Sequence, residues 1–209
     1  MTAQSVLERA YPGRRAALKR EILKKALQVF NDVGIDAASI DVIKTASCTS
    51  VGAIYHHFSN KDGLIAALFF CAQDDLFRLL KSYLETATTV EDGVHAMVLS
   101  YVDWITNEPE LGRFQFQARS FVAKGPHADQ LADRNKARNT TVLNWLSMPE
   151  RRASLPPCPH ELLPSLVIGQ SESYCRAWLA GRVRTNPSEH RVALANAAWS
   201  SVLAVARLG

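Results

Sequence analysis

The sequence lacks the features that mark several common classes of protein. Its four cysteines, Cys48, Cys71, Cys158 and Cys175, are widely spaced and include no C-x-x-C pair. This argues against a structural zinc site or a disulfide scaffold and is typical of a reducing compartment. The N-terminus has no apolar signal-peptide core, and the most apolar window, GLIAALFFCA, is about half the length that a bilayer requires. We therefore expect a soluble cytoplasmic protein with no membrane partner.

Patterns that carry catalysis or hold a cofactor are also missing. The sequence contains no glycine-rich phosphate loop, no recognisable Ser–His–Asp or Cys–His arrangement and no pair of carboxylates that stands out from chance. The adjacent histidines His56 and His57 lack the i, i+4 spacing of a helical zinc site. We therefore predict no enzyme activity, no catalytic residue, no metal site and no cofactor.

Helical periodicity runs through most of the chain, and no segment of convincing length alternates with the period of a β-strand. We predict an all-α protein of about nine helices. The stretch LPPCPH is the clearest loop, because its prolines cannot continue a helix.

Gly63 is expected to weaken the start of the helix that it belongs to by roughly 1 kcal/mol relative to alanine. The predicted helix-end residues are Gly34, Ser39, Ser59 with Asp62, Thr89 with Asp92, Pro109, and Asn186 with Pro187 and Glu189.

The first long helix, within RRAALKREILKKALQVFNDVG, carries one apolar stripe with basic residues largely on its other faces. The predicted stripe consists of Leu18, Ile22, Leu23, Ala26, Leu27 and Phe30. In the two short helices that follow, Ile40 with Ile43 and Ile54 with Phe58 are expected to point inward. Ile54 and Phe58 would hold the second short helix on the first short helix.

The charge of the chain is mildly positive and unevenly distributed. The formal net charge is +4, and residues 1–63 hold nine Lys/Arg against six Asp/Glu. Such an excess is compatible with nucleic acid but does not identify it as the partner. A solvated helix face would be the favoured interpretation of this basic cluster if it stood alone. The cluster consists of Arg14, Arg15, Lys19, Arg20, Lys24 and Lys25.

Two short helices joined by a three-residue break, SIDVIKTA-SCT-SVGAIYHHF, have the dimensions of a helix-turn-helix. The second helix begins with small residues, which is what close approach to a DNA major groove requires. Its N-terminus also offers free N–H groups and a partial positive charge, both suited to phosphate. One to two turns later, Tyr55 and His56 can reach the DNA backbone or a base edge, while Lys61 is placed for a flanking phosphate.

The segment SIDVIKTASCTSVGAIYHHFSNKDGL closely resembles the N-terminal signature of the TetR family of bacterial transcription regulators. The resemblance covers roughly residues 18–68, and most of its specificity lies in the pattern G-x-x-Y-x-H-F-x-x-K. It implies a homeodomain-like DNA-binding domain at residues 10–60 and a helical body at residues 61–209. That body would bind a small effector and form a homodimer through the last two helices.

Carried over residue by residue, the resemblance assigns the DNA contacts. The residues that look like phosphate and groove contacts are Ser39, Thr49, Ser50, Tyr55, His56 and Lys61, and those placed to approach base edges are Val51, Gly52 and Ala53. We expect His57 mainly to pack or cap. Cys48 stands in the turn where the family usually has glycine, which predicts strained backbone at a non-glycine residue. An inert turn cysteine is favoured over a redox switch.

The body is rich in aromatic residues, and core packing is the better interpretation of any single one. Collectively they could line a mostly apolar cavity with a few polar groups, among which Arg119 could orient an anionic or carbonyl-bearing ligand. The predicted ligand-binding residues are Tyr101, Trp104, Phe114, Gln115, Arg119, Trp145, Tyr174 and Trp178. The effector is accordingly expected to be partly apolar.

The two C-terminal helices suit a subunit interface, because small residues permit close helix approach and a tryptophan can anchor the contact. Burial within one subunit is the alternative. The stripe consists of Ala195, Ala198, Trp199, Val202 and Ala206, facing Tyr174, Ala177 and Trp178 of the preceding helix. We predict a regulator, with repression as the family default, that binds a palindromic operator as a dimer and is released by an effector. A helical ligand-binding or scaffolding protein that no longer reads DNA is the alternative.

Overall fold

The computed structural model describes residues 3–152, 159 and 161–206. Eleven α-helices and two short 3-10 helices account for most of these residues, which contain no β-strand. The all-α prediction is confirmed. The α-helices are α1 (Ala3–Ala10), α2 (Ala17–Val33), α3 (Ile40–Ala46), α4 (Val51–Phe58), α5 (Lys61–Leu84), α6 (Val90–Asn107), α7 (Pro109–Lys124), α8 (Ala128–Leu146), α9 (Pro149–Arg152), α10 (Leu163–Leu179) and α11 (Arg191–Ala206).

Two of these helices, α1 and the four-residue α9, are additional to the predicted set. The four-residue α9 is too short for a periodic pattern to stand out in the sequence. Helix α1 nevertheless buries Val6 and Leu7, each only 1% exposed. The predicted loop LPPCPH falls almost entirely outside the described residues.

The chain forms two compact units, one from residues 1–75 and 107–134 and the other from residues 76–106 and 135–209. Helices α5 and α8 each contribute residues to both. These units are defined by compactness and do not test the predicted functional division at residue 60, which stays a prediction.

In the first unit, α2 is the central element and packs against α1, α3 and α7. Five of its six predicted core residues are buried, as are Ile43, Ile54 and Phe58 of the two short helices. The prediction for Leu18 is wrong: its side chain is 42% exposed. The buried stripe therefore begins one turn later than the sequence suggested, at Ile22, and continues to Phe30, whose ring stacks on Phe114 with centroids 5.5 Å apart.

Most of the predicted helix ends are confirmed. Ser39 Oγ accepts a hydrogen bond from Val42 N at 3.2 Å. Thr89 and Asp92 form the reciprocal capping box, since Asp92 N donates to Thr89 Oγ1 at 3.1 Å and Thr89 N donates to Asp92 Oδ2 at 2.9 Å. Asn186 Oδ1 likewise accepts from Ser188 N at 3.0 Å, at the start of the 3-10 turn that precedes α11.

One predicted cap is wrong. Asn60, not Ser59, caps α5, because Gly63 N donates to Asn60 Oδ1 at 2.8 Å. Ser59 instead follows the end of α4 with a positive φ of 64°. The sequence placed the cap one residue too early because both residues are good N-caps, and only the conformation of the turn decides between them.

In the second unit, Trp145 of α8 lies over Gly93 of α6, where an added Cβ would come within 2.3 Å of the indole ring. Its Nε1 donates to Leu84 O at 3.2 Å, and the Arg151 guanidinium stacks on the ring at 4.0 Å. Gly93 is thus required by the close approach of the Trp145 ring.

No helix in the described part of the chain is long and apolar enough to cross a bilayer.

Helices α10 and α11 pack against each other within one chain. Ala195, Ala198 and Val202 are at most 1% exposed, so their placement in an intersubunit stripe is wrong. The outward face of α11 carries an apolar set at helical spacing that shares only Trp199 with the predicted stripe and is interrupted by one exposed polar residue, Asn196. The set consists of Val192, which is 60% exposed, and half-buried Trp199 and Leu203. The sequence could not choose between these faces because apolar residues lie on both.

Candidate nucleic-acid interface

Helices α3 and α4 form the predicted helix-turn-helix. The inward residues Ile43 and Ile54 are fully buried and Phe58 is 5% exposed, so both short helices are fixed by apolar packing. Ser47, in the turn, is also buried, and its Oγ donates to Ile43 O at 2.7 Å. That hydrogen bond satisfies a polar group that would otherwise be costly to bury.

The turn contains the strained residue that the sequence predicted. Cys48 has a φ of 48°, in the left-handed region that glycine adopts without cost. Its backbone N–H donates to Thr45 O at 3.2 Å, which closes the end of α3. The thiol is exposed.

The leading turn of α4 is slim and accessible. Ser50 is the N-cap, its Oγ accepting from Ala53 N at 3.1 Å. Gly52 is exposed, and a Cβ added there would find only Ser50 Oγ within 4 Å, at 3.8 Å. Val51 and Ala53 are half-buried. No bulky side chain therefore covers this end of the helix.

The later turn of α4 presents polar groups outward. Tyr55 is 47% exposed and His56 is exposed. His57 is half-buried, with its ring centroid 6.0 Å from that of Phe58, as expected for a packing role. Burial lowers the pKa of His57, and the neighbouring His56 and Lys19 lower it further. His57 is therefore protonated less readily than an ordinary histidine. The exposed side chain of His56 is the better placed imidazole for an external partner.

Helix α4 ends in a tight turn centred on Ser59. The backbone N–H of Asn60 donates to Phe58 O at 2.7 Å, and Ser59 has φ 64° and ψ −43°, close to the rare γ-turn. Gly63 then passes so close that a Cβ would lie 2.0 Å from Phe58 O. The expectation that alanine would be preferred at this position is therefore wrong.

Lys61 lies directly after this turn, half-buried, with its Nζ donating to Asp36 O at 3.3 Å. The carbonyl holds the ammonium group beside α4 while leaving it two further N–H donors. The sequence missed both the turn at Ser59 and this tether, because neither has a signature in side-chain periodicity.

All nine predicted DNA contacts thus lie on one short stretch of chain between the N-cap of α3 and the start of α5. Each is exposed or half-buried, and none is enclosed. Their contacts with DNA stay a prediction. The exposed residues are Ser39, Ser50, Gly52, Tyr55 and His56, and the half-buried ones are Thr49, Val51, Ala53 and Lys61.

The predicted ligand-binding residues divide between the two compact units. In the first unit, Phe114 belongs to the core around Phe30, Gln115 is half-buried with its Nε2 unpartnered, and Arg119 is exposed. In the second unit, Trp104 is 2% exposed and Trp145 is fixed by Leu84. Tyr101, Tyr174 and Trp178 are half-buried there, and the Tyr174 ring meets His190 edge-on at 5.6 Å. The role of these eight residues in ligand binding stays a prediction.

Among the described residues, no cluster of His, Cys, Asp or Glu could hold a metal ion.

The helix-turn-helix matches a known family model. Residues 22–68 match bacterial regulatory proteins, tetR family. Among curated proteins, HTH-type transcriptional repressor Rv1474c of Mycobacterium tuberculosis is 31% identical over 104 residues, 47% of this chain and 51% of that protein. The chain spans about half to two thirds of the length of the first curated relatives it matches.

Solved structures share the fold over most of the chain. A TetR family transcription regulator from Marinobacter aquaeolei superposes with a TM-score of 0.75 at 20% identity, covering 90% of this chain and 97% of that one. FadR from Bacillus subtilis, solved in complex with stearoyl-CoA, gives a TM-score of 0.68 at 11% identity, covering 88% and 99%. The helix-turn-helix thus matches the tetR family model in sequence, and the fold of most of the chain matches that of solved TetR family regulators.

Proposed function

We propose that the protein is a DNA-binding transcriptional regulator that acts as a repressor and is not an enzyme. The observation that carries the proposal is the form of α4, a helix with a slim exposed tip and polar groups one to two turns later. Such a helix can enter the major groove N-terminus first, with Gly52 allowing close approach to the bases. Tyr55, His56 and Lys61 then contact phosphates on either side.

The protein binds its operator as a homodimer. Two copies related by a two-fold axis present their α4 helices to half-sites about 34 Å apart, or a multiple of that spacing, so the operator is palindromic. The outward face of α11 supports this proposal, because an exposed valine and a partly exposed tryptophan at helical spacing form an apolar surface that a second copy can cover.

A partly apolar small molecule bound in the helical body releases the protein from DNA. It does so by binding more tightly to a conformation that cannot engage both half-sites, which shifts the population away from DNA. The Bacillus subtilis FadR complex with stearoyl-CoA supports this proposal to the extent that a protein of this fold holds a ligand with a long apolar chain.

The test begins with a duplex selected from a random-sequence pool by the full-length chain, followed by anisotropy titrations at several salt concentrations. We expect steep salt dependence and weaker binding by Tyr55→Phe and Lys61→Ala, because each removes a phosphate contact. Lys136→Ala, which removes an exposed lysine of α8, is the control for loss of one positive charge. No enrichment of any duplex would overturn the proposed function and favour the scaffolding alternative. Unchanged affinity and salt slope in both variants would overturn the contact assignments alone.

A further inference from the structure

The loop between α1 and α2 carries two arginines that the helix-turn-helix does not explain. Arg14 and Arg15 form a short 3-10 turn with Ala16, and both side chains are exposed. Within the part of the chain that the structure describes, neither guanidinium has a hydrogen-bond or ion-pair partner. Two adjacent guanidinium groups held in water without a counter-charge are well suited to a polyanion.

This loop is rigidly held by its neighbours. The Arg20 guanidinium donates from Nη1 to Tyr11 O at 2.6 Å and to Gly13 O at 2.8 Å, so one side chain of α2 ties both residues of the loop. Gly13 has a φ of 83°, which only glycine adopts without strain. The arginines are consequently presented from a fixed backbone, and little backbone entropy is lost when they bind.

Helix α1 anchors the other end of the loop. Arg9 Nε donates to Asp75 Oδ1 of α5 at 2.9 Å, and Asp75 is 7% exposed. Together with the buried Val6 and Leu7, this ion pair holds α1 against the rest of the first unit. The loop is thus fixed on both sides and differs from a flexible N-terminal tail.

The loop lies beside the C-terminal end of α4. Lys19 Nζ sits 4.3 Å from the centroid of the Tyr11 ring, at the start of the loop, and 5.5 Å from that of Phe58, the last residue of α4. Arg15 lies one helical turn before Lys19, about 6 Å along the axis. Arg14 and Arg15 therefore lie about one turn along the chain from Lys19, whose ammonium group contacts both the loop and α4.

We propose that Arg14 and Arg15 form a second DNA contact, to backbone phosphates of the duplex that flanks the groove entered by α4. Guanidinium groups bind phosphate oxygens in a bidentate manner, which suits a sequence-independent clamp. The inference rests on the proposed DNA binding and adds a contact outside the helix-turn-helix. Arg20 is a positioning residue for this clamp, since it fixes the loop through the carbonyls of Tyr11 and Gly13.

The experiment compares the full-length chain with Arg14→Ala/Arg15→Ala on the selected duplex and on an unrelated duplex of equal length. We expect weaker binding to both by a similar factor, and a slope of log K against log salt that is less steep by about two per protomer. Arg14→Lys/Arg15→Lys should restore the slope, because it keeps the charge. Far-UV circular dichroism and thermal melts confirm that the variants are folded.

Two comparisons make the result decisive. Arg182→Ala/Arg184→Ala removes the same charge from exposed positions between α10 and α11 and should leave the slope unchanged. Shortening the flanks of the selected duplex should weaken the wild type but not the Arg14→Ala/Arg15→Ala variant. An unchanged slope in that variant, or an equal loss in the Arg182→Ala/Arg184→Ala control, overturns the inference while the proposed function stands. If the wild type binds no duplex, both are overturned.

Discussion

Helices α4 and α11 each bury one face and leave another in solvent, and the exposed faces have opposite chemistry. Outside its buried pair Ile54 and Phe58, α4 exposes a glycine, a tyrosine and a histidine. Helix α11 buries three residues against its own chain and still leaves a valine exposed and a tryptophan half-buried. A polar surface with a slim tip fits a hydrated, charged groove, whereas a largely apolar surface fits another apolar surface. The outward chemistry of a helix thus indicates the kind of partner that it meets.

The backbone around the two helices differs as well. Helix α4 is bracketed by the two non-glycine residues with positive φ in the described part of the chain, Cys48 at 48° and Ser59 at 64°. These unfavourable conformations persist because the surrounding packing fixes them. Helix α11 starts from an ordinary proline-containing 3-10 turn. Both helices are thus held by side-chain packing, but only α4 is also bracketed by strained non-glycine residues.

The first prediction tests how tightly the turn after α4 is built. Gly63→Ala should destabilise the first unit by about 2–3 kcal/mol or more, because its Cβ would meet Phe58 O at 2.0 Å and the carbonyl belongs to a fixed turn. Gly169→Ala in α10 is the matched control. No atom lies within 4 Å of its added Cβ, so it should raise stability by roughly 0.5–1 kcal/mol. Urea denaturation measures both variants. Equal stabilisation by the two would mean that the turn yields easily and that α4 is not rigidly positioned.

The second prediction tests the outward face of α11. Val192→Asp should raise the dissociation constant of the dimer roughly 100-fold, equivalent to about 2.7 kcal/mol, because an unpaired carboxylate would be buried at the contact. The fold of each chain should be unaffected, since Val192 is 60% exposed within it. Sedimentation across a concentration series gives the constant, with Val33→Asp, at another exposed valine, as the control. A dimer of unchanged strength would show that the contact lies elsewhere.

The same comparison explains how much could be predicted from the sequence. Around α4 the strain at Cys48 was expected from the family resemblance, which places glycine in that turn. The inward pair Ile54 and Phe58 and the exposed Tyr55 were predictable, since the two large aliphatic and aromatic residues define one inward face. The turn at Ser59 and the need for glycine at position 63 were not, because they depend on where a carbonyl of the preceding helix ends up. On α11 the existence of an apolar surface was predictable but its direction was not. Apolar residues lie on both faces, and packing against α10 buries the face with Ala195, Ala198 and Val202.

The last prediction has the smallest effect and tests whether strain before α4 matters. Cys48→Gly should stabilise the protein by about 0.5–1 kcal/mol, because glycine removes the cost of a left-handed residue but raises the entropy of the unfolded chain. Cys48→Ser, which keeps a Cβ at the same φ, should change stability little. Thermal denaturation of the two variants separates backbone strain from loss of the thiol. Equal stabilities would mean that surrounding contacts already offset the strain at Cys48, and the contrast with α11 would then rest on outward chemistry alone.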